Sequence, residues 1–133
     1  MRIILDTGPL VALLNRRDRH HAWTLRALEA VPPPLWTCEP VLTEAAHLTG
    51  AGPQILEMVA SGALRIGLDL EAQAPGVAAL LRRWGGRMDL ADACVARMSE
   101  LTRRCRVFTL DRRDFSVYRR NGRDVIPLFT PDA

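Results

Sequence analysis

Apolar residues along the chain occur in two patterns. Short runs rich in isoleucine, leucine and valine predict buried strands, whereas apolar residues three or four positions apart predict amphipathic helices. The runs predict strands at residues 2–5, 35–37, 64–70, 105–110 and 125–129. The helical spacing predicts helices over residues 10–14, 21–30, 40–48, 53–60, 75–84 and 90–101.

This order of elements predicts the fold class. Strands that alternate with helices favour an α/β protein in which helices cover both faces of a parallel sheet. Breaks at Gly50, at Gly85-Gly86 and at Pro32–Pro34 separate the elements. We therefore expect a three-layer α/β/α fold with a central parallel β-sheet. A chain of 133 residues is the size of one domain, so we expect residues 1–133 to form a single one.

Composition narrows the class of protein. Hydrophobic residues make up 48% and charged residues 25% of the chain, which are ordinary globular values. No apolar stretch approaches the roughly 20 residues of a membrane span, so we expect no membrane association. The chain enters a strand almost at once, without the pattern of a secretory signal, and cytoplasmic localisation is expected. Cys38, Cys94 and Cys105 have no close spacing and predict neither a disulfide framework nor a zinc site.

The basic residues are all arginine. The sequence has eighteen of them and no lysine, which excludes chemistry that depends on lysine, such as that of P-loop NTPases. The net charge of +3 permits a polyanionic partner but does not require one.

Four acidic residues lie where an α/β fold would gather them. Asp6 and Asp111 end predicted strands, Glu44 lies early in a predicted helix, and Asp92 lies at the start of another. Singly, each aspartate is also explained as a helix cap or a turn residue. Together they predict a magnesium or manganese site, because hard divalent cations prefer oxygen ligands and offset the repulsion between carboxylates.

Two of these positions carry further arguments. Glu44 lies in the apolar stretch Val41–Ala46, where an unpaired carboxylate would be costly to bury. Asp89 is three residues before Asp92, so both carboxylates lie on one side of a helix, or Asp89 is the N-cap of that helix.

The chain resembles the PIN-domain ribonucleases, in particular the VapC toxins of toxin-antitoxin pairs. The matching segments are residues 4–10, 41–45, 88–93 and 109–115. The resemblance implies the PIN fold, with four catalytic, metal-binding carboxylates: Asp6, Glu44, Asp92 and Asp111. Asp89 would be an additional metal ligand. Thr7, Thr109 and Asp114 would support the site.

The resemblance also implies an activity and its partners. It implies hydrolysis of RNA phosphodiester bonds with Mg²⁺ or Mn²⁺, an RNA substrate, a cognate antitoxin protein and a homodimer. The metal would lower the pKa of a water molecule and neutralise charge on the phosphoryl oxygens. Arg112 and Arg113 follow Asp111 and are candidates for binding RNA phosphates, with a solvated basic surface as the alternative.

Two other functions compete with this interpretation. An aspartyl-phosphate phosphatase fits poorly, because the motif Asp-x-Asp-x-Thr would need an aspartate at Gly8 and because the lysine of such enzymes is absent. A catalytically inactive PIN-like module that binds RNA or protein is compatible with the same fold. Retention of all four carboxylates argues against it.

Overall fold

A five-stranded parallel sheet forms the centre of the computed structural model, which describes residues 1–131. Its strands are β1 (Arg2–Leu5), β2 (Leu35–Thr37), β3 (Leu64–Ile66), β4 (Cys105–Phe108) and β7 (Leu128–Phe129). They lie in the order β3-β2-β1-β4-β7. Two further strands, β5 (Arg119–Arg120) and β6 (Asp124–Val125), pair antiparallel in a separate hairpin.

Helices cover the sheet. They are α1 (Thr7–Leu14), α2 (His21–Ala30), α3 (Glu39–Thr49), α4 (Gly52–Ala60), α5 (Leu70–Trp84), α6 (Leu90–Leu101) and α7 (Arg112–Phe115). A 3₁₀ turn, Gly85–Arg87, joins α5 to α6. The predicted three-layer α/β/α fold with a central parallel sheet is confirmed. No helix within residues 1–131 is long and apolar enough to cross a membrane.

The strand order places a crevice at the carboxyl end of β1. This strand pairs with β2 on one side, where Ile4 is opposite Trp36, and with β4 on the other, where Leu5 is opposite Phe108. The chain therefore builds β2 and β3 on one side of β1 before it crosses to β4. Such a reversal of strand order leaves room for a ligand beyond the strand ends.

The core lies on both sides of this sheet. Ile4, Leu10, Val41 and Val107 are at most 1% exposed, as expected for apolar residues of strands and helices that face one another. Trp23 packs edge-on against Phe108, with ring centroids 5.6 Å apart. All three cysteines are buried and free.

The middle of the chain departs from the sequence prediction. Alternating apolar residues predicted a strand over 64–70, but β3 ends at Ile66. The predicted helix start at Pro75 was also wrong, because α5 begins at Leu70. The Asp69 side chain accepts a hydrogen bond from the Ala72 N–H and caps this helix. Pro75 lies inside α5.

The C-terminal region departs from the prediction too. β4 ends at Phe108 rather than at 110, and the predicted strand over 125–129 is two short strands, β6 and β7. The sequence patterns did not predict α7 or β5. Both are shorter than the windows in which hydrophobic periodicity can be recognised.

Candidate active site

Seven acidic side chains line one open cavity of about 610 Å³ at the carboxyl edge of the sheet. They are Asp6, Asp18, Glu44, Asp89, Asp92, Asp111 and Asp114. Within the described part of the chain, Arg87 is the single basic residue that lines it. The structure thus brings together all six acidic residues that the sequence analysis singled out, although they belong to different elements.

Asp6 is the most deeply buried of these carboxylates, with 6% of its surface exposed. It is the N-cap residue of α1, yet its side chain makes no capping hydrogen bond. Its Oδ2 instead accepts a hydrogen bond of 2.7 Å from the Thr109 hydroxyl. Burial, with smaller contributions from the charges of Asp111 and Glu44, raises the pKa of Asp6 from 3.8 to about 6, although the hydrogen bond from Thr109 opposes this rise.

Thr109 connects two of the carboxylates. Its hydroxyl donates to Asp6 and accepts a hydrogen bond of 2.9 Å from the backbone N–H of Asp111. The residue is fully buried just beyond the end of β4. One hydroxyl therefore fixes the Asp6 side chain and the backbone that carries Asp111.

A capping box orients Asp92. Asp89 Oδ1 accepts a hydrogen bond of 2.8 Å from the Asp92 N–H, and Asp92 Oδ2 lies 3.4 Å from the Asp89 N–H. The N-cap interpretation of Asp89 is thus observed, while its carboxylate still lines the cavity. Burial, then the charges of Asp89 and Asp6, raise the pKa of Asp92 to about 7.

Tyr118 supports Asp92 from the protein interior. Its fully buried hydroxyl lies 2.9 Å from the Arg87 carbonyl oxygen and 3.2 Å from Asp92 Oδ2. Because a tyrosine hydroxyl carries one hydrogen, it donates to one of them at a time. Burial and the charge of Asp92 raise the pKa of Tyr118, so the hydroxyl keeps its proton.

Glu44 and Thr7 face the cavity from α3 and α1. Glu44 is partly buried, and its pKa is raised by burial and by the charge of Asp89, with a partial offset from the Thr7 hydroxyl. The Glu44 carboxylate and the Thr7 hydroxyl nevertheless do not form a hydrogen bond, since Thr7 Oγ1 is buried and has no hydrogen-bond partner among residues 1–131. A buried hydroxyl without a partner costs free energy.

Asp111 and Asp114 lie at the start of α7. Asp111 Oδ1 accepts a hydrogen bond of 3.1 Å from the Asp114 N–H and so caps this short helix. Burial raises the pKa of Asp111. Asp114 Oδ1 forms a salt bridge of 2.8 Å with Arg87 Nε. Arg87 therefore neutralises one carboxylate at the edge of the cavity.

Three residues of this site were not predicted. Asp18 and Arg87 lie in loop and turn segments outside the predicted elements, and Tyr118 lies after α7. No pattern in the sequence points to Asp18 or Tyr118 as site residues. For Arg87, its position two residues before Asp89 was the one feature of the sequence that could have indicated a place in the site.

The donor set fits a hard divalent cation. The carboxylates and the Thr7 hydroxyl at this cavity present oxygen ligands, and Thr7 Oγ1 lacks a hydrogen-bond partner among residues 1–131. Burial and mutual repulsion raise the pKa of four of the carboxylates. As the side chains lie, no group of three or more Asp, Glu, His or Cys residues within 1–131 is close enough to hold one ion. Binding would therefore draw the carboxylates closer together.

The two candidate arginines occupy different environments. Arg112 and Arg113 are both exposed in α7, but neither is among the residues that line the acidic cavity. Arg112 lines a separate cavity behind this helix, and Arg113 lines neither of the two.

The fold and the cavity together define an α/β protein with a carboxylate site at the point where the strand order reverses. The model of the PIN domain family matches residues 3–121. The chain therefore belongs to the PIN domain family.

A solved structure shows the same fold. The crystal structure of Mycobacterium tuberculosis VapC20, described as a Sarcin-Ricin loop cleaving toxin, is similar with a TM-score of 0.63 and 20% sequence identity. The similarity covers 82% of this chain and 91% of VapC20. A search of curated protein sequences found no match.

Proposed function

We propose that this protein is a magnesium- or manganese-dependent endoribonuclease that hydrolyses RNA phosphodiester bonds, and that it is the toxin of a toxin-antitoxin pair. The observation that carries the proposal is the convergence of carboxylates from four segments of the chain on one cavity. Membership of the PIN family supports nuclease chemistry, and similarity to VapC20, described as a Sarcin-Ricin loop cleaving toxin, supports the toxin role.

In this proposal Asp6, Glu44, Asp92 and Asp111 hold the metal, with Asp89 as a further ligand. When bound, a divalent cation supplies Lewis-acid chemistry, acidifying a water and neutralising charge on phosphoryl oxygens. Thr109 keeps Asp6 and Asp111 in place, and the capping box with Tyr118 orients Asp92. Such support matters because ligand orientation tunes metal affinity. No single carboxylate is assigned as the general base.

Cleavage of total cellular RNA tests the activity. Purified protein is incubated with Mg²⁺, Mn²⁺ or EDTA, and the products are mapped at their ends. We expect discrete fragments that disappear with EDTA and fall at least ~100-fold with Asp92→Asn, since removal of ligands or their supports costs roughly 10–100-fold or more. Asp69→Asn is the matched control, because Asp69 also lies at a helix N-terminus but outside the cavity.

Absence of cleavage by folded, partner-free protein would contradict the proposal. Binding of RNA without cleavage, equal in the parent and in Asp6→Ala, would instead favour a catalytically inactive PIN-like module. Cleavage that persists in EDTA would contradict the metal dependence while leaving a nuclease.

The proposal includes a cognate antitoxin and a homodimer. Leu48 and Leu56 are 61% and 63% exposed, and such large apolar side chains on α3 and α4 favour a protein contact. We expect a small co-expressed protein to cover the acidic cavity with a basic side chain and to stop cleavage. Light scattering of the free protein measures its oligomeric state, and a complex whose cavity stays open to RNA would contradict this part.

A further inference from the structure

A second cavity of about 440 Å³ lies on the other side of the short helix α7 and has the opposite charge. Its side chains come from α7, from β4 and from the segment around β7. The residues that line it are Arg106, Arg112, Ser116, residues 125–128 and Thr130. Among residues 1–131, two arginines and no carboxylate line it, whereas seven carboxylates and one arginine line the acidic cavity.

The helical turn after β4 separates the two cavities. Side chains three or four residues apart share one side of a helix. Asp111 and Asp114 line the acidic cavity, while Arg112 and Ser116 line the basic one. The two cavities are therefore separated by about the diameter of a helix with its side chains, roughly 10 Å.

Contacts within the protein hold the Arg106 guanidinium at this cavity. Its Cζ lies 4.8 Å from the centre of the Phe129 ring, and its Nε and one Nη donate to the Leu128 carbonyl oxygen at 3.4 and 3.3 Å. A guanidinium has five N–H donors, so others remain for a ligand. Neither Arg106 nor Arg112 forms a salt bridge within residues 1–131.

A hydroxyl at the same place also lacks a partner. Thr130 Oγ1 is buried and has no hydrogen-bond partner within the part of the chain that the structure describes, and Thr130 lines the basic cavity. A buried hydroxyl is normally satisfied by protein or ligand. Two guanidinium groups without a carboxylate partner among residues 1–131 and an unsatisfied hydroxyl at one cavity all favour binding of an oxygen-rich anion.

We propose that this cavity binds a backbone phosphate of the RNA strand whose scissile phosphodiester lies in the acidic cavity. The inference rests on the proposed function and identifies how the substrate is held. Guanidinium groups match phosphate oxygens with paired N–H donors. Because seven carboxylates repel a polyanion, attraction beside the acidic cavity offsets that repulsion and sets the register of the strand.

RNA binding in EDTA tests the proposal without cleavage. The probe is a single-stranded RNA oligonucleotide of mixed sequence, and its affinity is measured against salt concentration. We expect Arg112→Gln and Arg106→Gln each to weaken binding roughly tenfold, the scale of one charge-assisted hydrogen bond. The double variant should lower the slope of log affinity against log salt by about 0.7, the value for one phosphate contact on a single strand.

Arg26→Gln is the matched control, since Arg26 is an exposed helical arginine on α2 and lines neither cavity. Its affinity and salt slope should equal those of the parent. Equal losses in Arg26→Gln and Arg112→Gln would overturn the proposal, because net charge would then explain both. Unchanged RNA binding by Arg112→Gln would also overturn the proposal. If this variant binds RNA normally but loses affinity for a polyglutamate peptide, the ligand of the cavity would be an acidic protein instead of RNA.

Arg106 packs on the Phe129 ring, so substitution of Arg106 could disturb the fold. Arg106→Gln is therefore compared with the parent only if denaturant unfolding shows that it is folded. If it is not, the variant of the exposed Arg112 alone tests the proposal. Failure of the proposed nuclease function would appear as absence of cleavage with Mg²⁺ or Mn²⁺ in every variant. Failure of the phosphate site would instead leave parent and Arg112→Gln equal in both binding and cleavage.

Discussion

Thr109 shows how much of the candidate site depends on one uncharged residue. Its hydroxyl contacts the side chain of Asp6, which follows β1, and the backbone of Asp111, which follows β4. Thr109 and Asp6 are 103 residues apart in the sequence. Without that donor, Asp6 would be a buried carboxylate with less compensation for its lost hydration.

We expect Thr109→Val to weaken both folding and metal binding. Valine keeps the shape but leaves Asp6 without its donor, which should lower the free energy of unfolding by about 1–3 kcal/mol. The metal concentration needed for half-maximal RNA cleavage should rise about tenfold. Denaturant unfolding and metal titration measure the two effects, and Thr109→Ser, which retains the hydroxyl, should restore both. A Thr109→Val protein equal to the parent would show that the hydroxyl is dispensable.

Stability in EDTA should fall as the pH rises. Burial raises the pKa of Asp6 from 3.8 to about 6 in the folded protein, so the folded state holds this proton more tightly than the unfolded chain. The contribution of the protonated Asp6 to the free energy of unfolding is fully present below pH 3.8 and is lost as the pH rises through about 6. This loss amounts to about 3 kcal/mol. Asp92, whose pKa is about 7, extends the window upward.

Urea unfolding between pH 4 and pH 8 measures this dependence. Asp6→Asn cannot ionise and should flatten the profile, while Asp69→Asn should keep the slope of the parent. Stability that instead rises with pH across this window would show that Asp6 and Asp92 do not hold their protons in the folded state.

At the scale of elements, the sequence predicted the helices and strands that have long apolar patterns. The strand before Asp6 and the helix after Asp89 have clear apolar patterns and strong boundary residues, so the positions of their carboxylates were predictable. The helix α5 was mispredicted because Pro75 looks like a first helical residue, whereas Asp69 forms the actual cap. The hydrogen bond from Thr109 to Asp6 joins positions 103 residues apart, which no local pattern contains. The cap of α7 by Asp111 is a local contact, but α7 has only four residues and is too short to show helical periodicity.

Adjacent substitutions in α5 should have opposite effects on stability. Exposed Pro75 lacks the N–H that would bond the Glu71 carbonyl, a defect that costs about 3 kcal/mol in a helix interior. Because proline also restricts the unfolded chain by up to about 1 kcal/mol, Pro75→Ala should raise the free energy of unfolding by about 2 kcal/mol. Alanine is also the better helix former at Gly76, but a Cβ there would lie 2.5 Å from Arg97 Nε. Gln73 and Glu100 hold Arg97 in place, each at 3.0 Å.

Gly76→Ala should therefore lower the free energy of unfolding by about 1–3 kcal/mol, the usual cost of overpacking. Denaturant melts of the two variants measure the contrast. A stabilising Gly76→Ala would mean that Arg97 moves aside freely and that helix propensity decides the outcome.

The whole molecule separates its charges. Acidic side chains gather around one cavity although the chain carries a net charge of +3, and only two salt bridges form within residues 1–131. Most arginines are thus available to a polyanion. Seven carboxylates gathered beside Arg87 store mutual repulsion in the folded state, and a ligand that removes this repulsion must stabilise the entire fold.

That coupling predicts a rise in Tm with divalent cations. A ligand that binds only the folded state stabilises it by about 2.7 kcal/mol at one hundred times its Kd, which corresponds to roughly 10 °C for a domain of this size. Differential scanning fluorimetry with Mg²⁺ or Mn²⁺, against NaCl at equal ionic strength, measures the shift. It should vanish in Asp92→Asn, persist in Asp69→Asn, and shrink from pH 8 to pH 5, because protons compete for Asp6 and Asp92. An equal shift with NaCl would show screening of the carboxylates rather than binding of a cation, and the acidic cavity would then not be a metal site.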